Sequence, residues 1–312
     1  MSPSVPSETG EDLRAVLAQI PGWGDKALVL TPLLAGLTNS NWRVDIEGDP
    51  QAYFVKVPGP GTEQFIDRNT VNAASRQAAG MGVGPAVVFF DPETRIEVAE
   101  FLGDYRPCTS EDLWDPEVTP RVMDLYRRWN AGPPLPQTKT VFEMLEEHRE
   151  QVRRDGTRIP AWVEEVLTTY DEAAARFLAS GLDIVPCHND PNPHNFMLPT
   201  VDPAGAMKLV DYDYASNNER AYEIGVFFAA VTFDADQQRQ AIESYCGSCD
   251  PQLWARVQVM RVVQDVKWGL WALANARAWD GDFDYYKYGI WDLWRAHFEM
   301  HATEWQDQLE RL

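Results

Sequence analysis

Short runs of aromatic and β-branched residues, broken at Gly, Asn, Asp and Pro, dominate the chain from Ala27 to about residue 57. ALVLTPLL, WRVDI and AYFVKV are separated by AGLTNSN and by GDP, a spacing that predicts three antiparallel strands joined by turns. PGPG then breaks the pattern, and TEQFIDRNTVNAASRQAAGMG carries helical spacing closed by glycines. PAVVFF and RIEVAEFL, hinged at DPET, predict a further hairpin. From about residue 103 the period lengthens, and helices are predicted over roughly 110–130, 140–155, 160–180, 220–230, 235–246, 251–279 and 288–310. One stretch, 184–213, interrupts them with IVPCHNDPNPHNFML, a turn at DPAG and MKLVDYDY. The pattern predicts an α+β protein in two parts. A small β-rich lobe covers 1–102, opening with a polar tail at 1–12, and a larger, mainly helical lobe covers 103–312. A cleft between two such lobes is the expected ligand site.

Composition narrows the partners. Across 312 residues, 27 Lys and Arg stand against 48 Asp and Glu, a formal charge of −21. Such a chain repels phosphate backbones, so no nucleic-acid partner is expected. With 45% hydrophobic and 12% aromatic residues the body is not disordered. No run approaches the ~20 apolar residues that span a bilayer. The start, MSPSVPSETGEDLR, lacks both the basic and the apolar stretch of a secretory signal, so membrane insertion is not expected and a cytoplasmic location is. Cys246 and Cys249 form CGSC, but Cys108 and Cys187 lie far from them and unpaired, so the expectation is free thiols near a helix end.

The chemistry concentrates in His188-Asn189-Asp190 followed by Asn195, with Asp211 closing the apolar run MKLVD. An Asp on a loop can accept a hydroxyl proton, and an Asn five residues on can turn back to ligate a metal. A carboxylate from a neighbouring strand then completes an oxygen-rich site suited to Mg²⁺. His188 and His194 suggest a zinc pair instead, but the other histidines, at 148, 297 and 301, offer no obvious third ligand. Lys56 taken alone is an ordinary solvated strand lysine.

In that order these motifs resemble the choline/ethanolamine kinases, within the aminoglycoside-phosphotransferase-like group of the protein-kinase-like fold. HND-x4-N is similar to the family's catalytic loop, and Asp211-Tyr212-Asp213-Tyr214 to its metal-binding D-x-[ED]-Y segment. AGLTNSNW resembles its phosphate loop, YFVKVPGPGT with IDR its third strand and helix, and KWGLWALANARA with DFDYYKYG its choline-pocket helices. The resemblance implies ATP and Mg²⁺ as cofactors. It makes Asp190 the general base, with Asn195 and Asp211 holding Mg²⁺ and Asp213 assisting. Lys56 would contact the nucleotide phosphates, backbone amides around Thr38 and Asn39 would cover them, and residues from Glu100 to Leu102 would meet the adenine. Trp268 and Trp271, three apart on one helix face, would with Tyr214 form an aromatic box for an ammonium group.

The chain departs from the family pattern in four places. Val71 stands where a helix Glu usually pairs with the strand lysine, leaving Asp67 one turn earlier as a substitute. Trp129-Asn130 replaces a Leu-His pair, Glu223 replaces an Asp, and Ala229-Ala230 occupies a place often acidic. The expected function is phosphorylation of the hydroxyl of choline, ethanolamine or a related amino alcohol, a small-molecule partner. An aminoglycoside or sugar phosphotransferase of the same fold, or a silent ligand-binding pseudokinase, are the alternatives.

Overall fold

The computed structural model describes residues 13–33, 39–60, 62–277 and 283–312. The chain divides into two compact units, Met1–Pro107 with Phe196–Asp213, and Cys108–Asn195 with Tyr214–Leu312.

In the first unit a helical stretch at residues 13–17 leads to strands β1 (Leu28–Leu33), β2 (Asn39–Ile46) and β3 (Tyr53–Pro58). Along β2 the period of two turns Trp42, Val44 and Ile46 inward. There they pack with Val55, Val98 and, from the N-terminal stretch, Leu13, Leu17 and Trp23. Helix α1 (Arg68–Gly80) follows. Helical spacing begins at residue 62, yet only a 3-10 turn forms at Thr62–Gln64. The helix waits until Arg68 because the Asp67 carboxylate caps it, accepting from the Asn69 N–H at 3.1 Å and the Thr70 hydroxyl at 2.7 Å. β4 (Val87–Phe90) and β5 (Glu97–Glu100) complete an antiparallel sheet ordered β1-β2-β3-β5-β4. β5 therefore lies beside β3 and sets Glu97 opposite Lys56. β6 (Tyr105–Pro107) ends this pass.

The second unit opens with a 3-10 turn at Asp112–Trp114, and α2 (Thr119–Asn130) starts later than the sequence pattern suggests, with Pro120 in its first turn. α3 (Val141–Arg154) begins at a Thr140–Glu143 capping box, and α4 (Trp162–Ala179) and β7 (Ile184–Cys187) follow. The chain then returns to the first unit as β8 (Phe196–Pro199) and β9 (Lys208–Leu209), which pair in the order β6-β8-β9. That pairing, with the Leu209 N–H donating to the Val83 carbonyl at 2.8 Å, groups residues 196–213 with the N-terminal part.

Back in the second unit, β10 (Ser216–Glu219) pairs antiparallel with β7. α5 (Arg220–Val231) is buried on nearly every face, as its all-round apolar sequence requires. α6 (Ala235–Cys246) stops at Gly247, whose φ of 82° takes the left-handed cap, and leaves Cys246 and Cys249 as free thiols. α7 (Pro251–Asn275) and α8 (Tyr285–Met300) approach closely through two glycines: a Cβ on Gly289 would lie 2.6 Å from the Gly269 carbonyl oxygen. The predicted 288–310 helix is interrupted at Ala302, which is extended, and resumes as α9 (Thr303–Glu310). Among the described residues no helix is long and apolar enough to cross a membrane.

Candidate active site

In the first unit, Lys56 on β3 gathers the carboxylates. Its Nζ donates to Asp211 Oδ1 at 2.6 Å and to Asp213 Oδ1 at 2.9 Å. Asp213 also accepts from Arg68 Nη1 at 3.2 Å and, through Oδ2, from Asn39 Nδ2 at 2.7 Å. Burial alone would raise the Asp213 pKa; Lys56, Arg68 and the Asn39 hydrogen bond outweigh it and hold the carboxyl down at about 2. Burial would likewise lower the Lys56 pKa, and the charges of Asp211 and Asp213 reverse that, keeping the ammonium protonated.

The two aspartates differ in reach. The Asp213 side chain is 3% exposed and the Asp211 side chain 36%, so Asp211 presents its carboxylate toward solvent. A φ of 66° at Asp211 turns the chain just past β9, in a left-handed region that Asp tolerates better than most residues. The place of the missing helix Glu is not taken by Asp67, which is spent on the helix cap. Val71 is core, and the buried carboxylate beside Lys56 is Glu97, which accepts from Asn72 Nδ2 at 2.7 Å. Glu100 ends β5 opposite Tyr53, and the Leu102 carbonyl accepts the Tyr105 N–H in the next turn. Thr38 lies outside the described residues.

In the second unit the HND-x4-N segment leaves β7 and is held by its backbone. Glu223 on α5 accepts the His188 N–H at 2.6 Å and the Asn189 N–H at 3.3 Å. Asn189, at φ 66°, donates through Nδ2 to the Tyr214 carbonyl at 2.8 Å and to Ser216 Oγ at 3.0 Å, while its Oδ1 accepts from Asn218 Nδ2 at 2.9 Å. His188 Nδ1 lies 2.9 Å from the Asp190 carbonyl, an acceptor, so that nitrogen carries the proton. Asn195, buried, donates to the same carbonyl at 3.4 Å. Asp190 and Asn195 are thus brought into one turn, and the Asp190 carboxylate accepts the Asn192 N–H at 3.2 Å.

Glu223, Asn189, Ser216 and Asn218 hold this turn by hydrogen bonds. Asn189 left a signal as the middle residue of HND and Glu223 as a longer acid in place of Asp, whereas Ser216 and Asn218 left none. Replacing Glu223 by alanine strands two buried N–H groups and is expected to cost about 2–5 kcal/mol. Urea unfolding measures this, and a loss under about 1 kcal/mol, the size of an ordinary substitution, would mean that the loop is held elsewhere.

The predicted aromatic box also assembles within this unit. Tyr214 meets Trp268 edge to face with ring centroids 5.2 Å apart, Trp268 meets Trp271 at 5.2 Å, and Trp271 meets Tyr285 at 5.6 Å. An unforeseen residue shares it. Lys267 is fully buried, its Nζ sits 3.0 Å from the Trp268 ring centroid and 4.9 Å from that of Tyr214, and it has no hydrogen-bond partner. Burial pushes its pKa well below the ordinary lysine value, with the Asp190 charge acting in the opposite direction.

The profile of the choline/ethanolamine kinase family matches residues 30–246. "Probable choline kinase 2" of Arabidopsis thaliana is 24% identical over 337 aligned positions, covering 95% of this chain and 91% of the relative. A solved choline/ethanolamine kinase family protein from Mesorhizobium loti superposes with a TM-score of 0.81 at 25% identity, covering 97% of this chain and 98% of that one. Choline kinase LicA from Streptococcus pneumoniae has the same fold, with a TM-score of 0.76 at 20% identity over 94% of this chain and 99% of its own. With the family profile matched over more than half its length, the chain belongs to the choline/ethanolamine kinase family: it has the protein-kinase-like fold and is a phosphotransferase with an alcohol group as acceptor.

Proposed function

We propose that the enzyme transfers the γ-phosphoryl group of ATP to the hydroxyl of a small amino alcohol of the choline and ethanolamine type. The observation that carries this reading is the tie between Asn189 and Tyr214, which fastens the turn bearing Asp190 to the aromatic box within one unit. Asp190 takes the hydroxyl proton. Asp211 and Asn195 offer the hard oxygen donors that Mg²⁺ prefers, and they would hold the metal. When bound, Mg²⁺ neutralises charge on the transferring phosphate oxygens. Asp213 assists indirectly: it fixes Lys56 and Arg68, so that Lys56 meets the nucleotide phosphates already oriented. The backbone at Asn39 covers those phosphates, and Glu100 and Leu102 flank the adenine. Trp268, Trp271 and Tyr214 receive the amino end of the acceptor, as aromatic faces attract ammonium groups.

Purified protein incubated with Mg²⁺, ATP and either amine tests the reaction directly. Phosphocholine or phosphoethanolamine by mass spectrometry is the expected result, and the absence of both would overturn the reading.

Lys267 ranks the acceptors. Whatever its protonation, it covers one face of Trp268, and a trimethylammonium needs ring faces more than a primary amine does, because it has no N–H to donate. Ethanolamine is therefore expected to exceed choline in kcat/KM. Lys267→Met should move that ratio toward choline by about 10-fold, the equivalent of one cation–π contact of about 1–2 kcal/mol. An unchanged ratio would show that Lys267 does not shape the box.

A further inference from the structure

Away from the residues so far described, three side chains of the second unit converge where the end of α8 meets the first turn of α4. His297 and His301 are four apart, so they share a helix face, and Glu165 reaches them from α4. One ligand atom from each of the three lies within 4.8 Å of the other two.

Hydrogen bonding fixes how His301 presents itself. Its Nδ1 lies 2.7 Å from the His297 carbonyl oxygen, which can only accept, so Nδ1 carries the proton. The lone pair of neutral His301 is then on Nε2, which faces Glu165 Oε1 at 3.2 Å. Two acceptors at that distance need a cation between them, either a proton on Nε2 or a metal ion. The separation suits a metal. Zn–N and Zn–O bonds of about 2.0–2.2 Å in a tetrahedron set neighbouring ligand atoms about 3.3–3.5 Å apart. A ligating His commonly donates its other ring N–H to a backbone carbonyl, the arrangement already present at His301.

His297 completes the set. Its ring lies 4.4 Å from that of His301 and is braced by Trp162 and Trp294, each with its ring centroid 5.5 Å away. Its Nδ1 is buried without a hydrogen-bond partner, so the ring is positioned by packing rather than by a competing polar contact. Two imidazoles and one carboxylate favour a borderline cation such as Zn²⁺ over Mg²⁺, which prefers all-oxygen sites.

The geometry points to a divalent transition-metal site of the Zn²⁺ class formed by Glu165, His297 and His301, clipping α8 to α4 and separate from the Mg²⁺ chemistry of catalysis. Glu165 and His301 are more than half exposed, which leaves a fourth position for water and a path for the ion.

The test uses the full-length protein after chelator treatment. Co²⁺ titration should give one saturable equivalent with visible ligand-field absorption, displaced by Zn²⁺ and not by excess Mg²⁺. Zn²⁺ should also raise the thermal midpoint. Glu165→Gln and His301→Gln keep volume at exposed positions, and each should weaken Co²⁺ binding at least ~10-fold, the scale on which loss even of supporting groups affects metal sites. Absence of saturable binding would overturn the site. Binding unchanged in both variants would also overturn it, placing the ion elsewhere on the chain and leaving Glu165 and His301 as a simple ion pair.

Discussion

Asp190→Asn is expected to lower kcat by about 10²- to 10⁴-fold, the range that a positioned general base contributes, while leaving ATP affinity within a factor of about two. The amide is the informative replacement because of how the turn is built. The contacts from His188 Nδ1 and Asn195 Nδ2 go to the Asp190 main-chain carbonyl, which the substitution does not touch. Within the turn the carboxylate accepts the Asn192 N–H, and an amide oxygen can still accept it. Glu223 holds the preceding backbone through His188 and Asn189. The turn therefore survives, and what disappears is the negative charge that accepts a proton. Single-turnover measurement of phosphoryl transfer, alongside nucleotide titration, separates the two effects. A kcat within about 10-fold of the parent would remove Asp190 from the role of base, since loss of a general base costs more than that.

The same turn shows how far the sequence could be read. The alternation in β2 predicts its own burial, and HND-x4-N with MKLVD marks both ends of the chemistry, because each is a local pattern. Supports that depend on sheet order or on a distant helix left no such mark. Glu97 stands beside Lys56 only because β5, not β4, is the neighbour of β3, and nothing in RIEVAEFL announces that. SNNE carries no apolar residue, yet Ser216 and Asn218 lie in a buried strand and their side chains hold Asn189. Nothing local to Lys267 marks it out in the sequence, and its place on the Trp268 ring follows from packing. Asp67, the local substitute offered for the missing acid, caps the helix instead, accepting from the Asn69 N–H and the Thr70 hydroxyl.

The second large effect separates the two aspartates that Lys56 touches. Asp211→Ala is expected to abolish Mg²⁺-dependent ATP binding yet cost less folding stability than Asp213→Ala, because the Asp211 carboxylate is partly exposed and buried Lys56 retains its second partner. Lys56 keeps Asp213 in that variant. Asp213→Ala should do the reverse damage first. It removes the acceptor shared by Lys56, Arg68 and Asn39 and leaves two buried cations short of a partner, a loss of about 3–5 kcal/mol. Asp213→Asn retains an oxygen but not the charge, so it should fall between the two. The acid limb of stability follows from the same residue. Its pKa is depressed from the ordinary 3.8 to about 2, so its contribution is present in full above about pH 4 and is lost as the pH falls toward 2. Urea midpoints between those limits, compared for the parent and Asp213→Asn, should converge as the pH drops, since protonation erases the charge that the mutation removes. Curves that stay parallel across that range would mean that Asp213 stabilises the fold by shape and hydrogen bonding and not through its charge on Lys56 and Arg68.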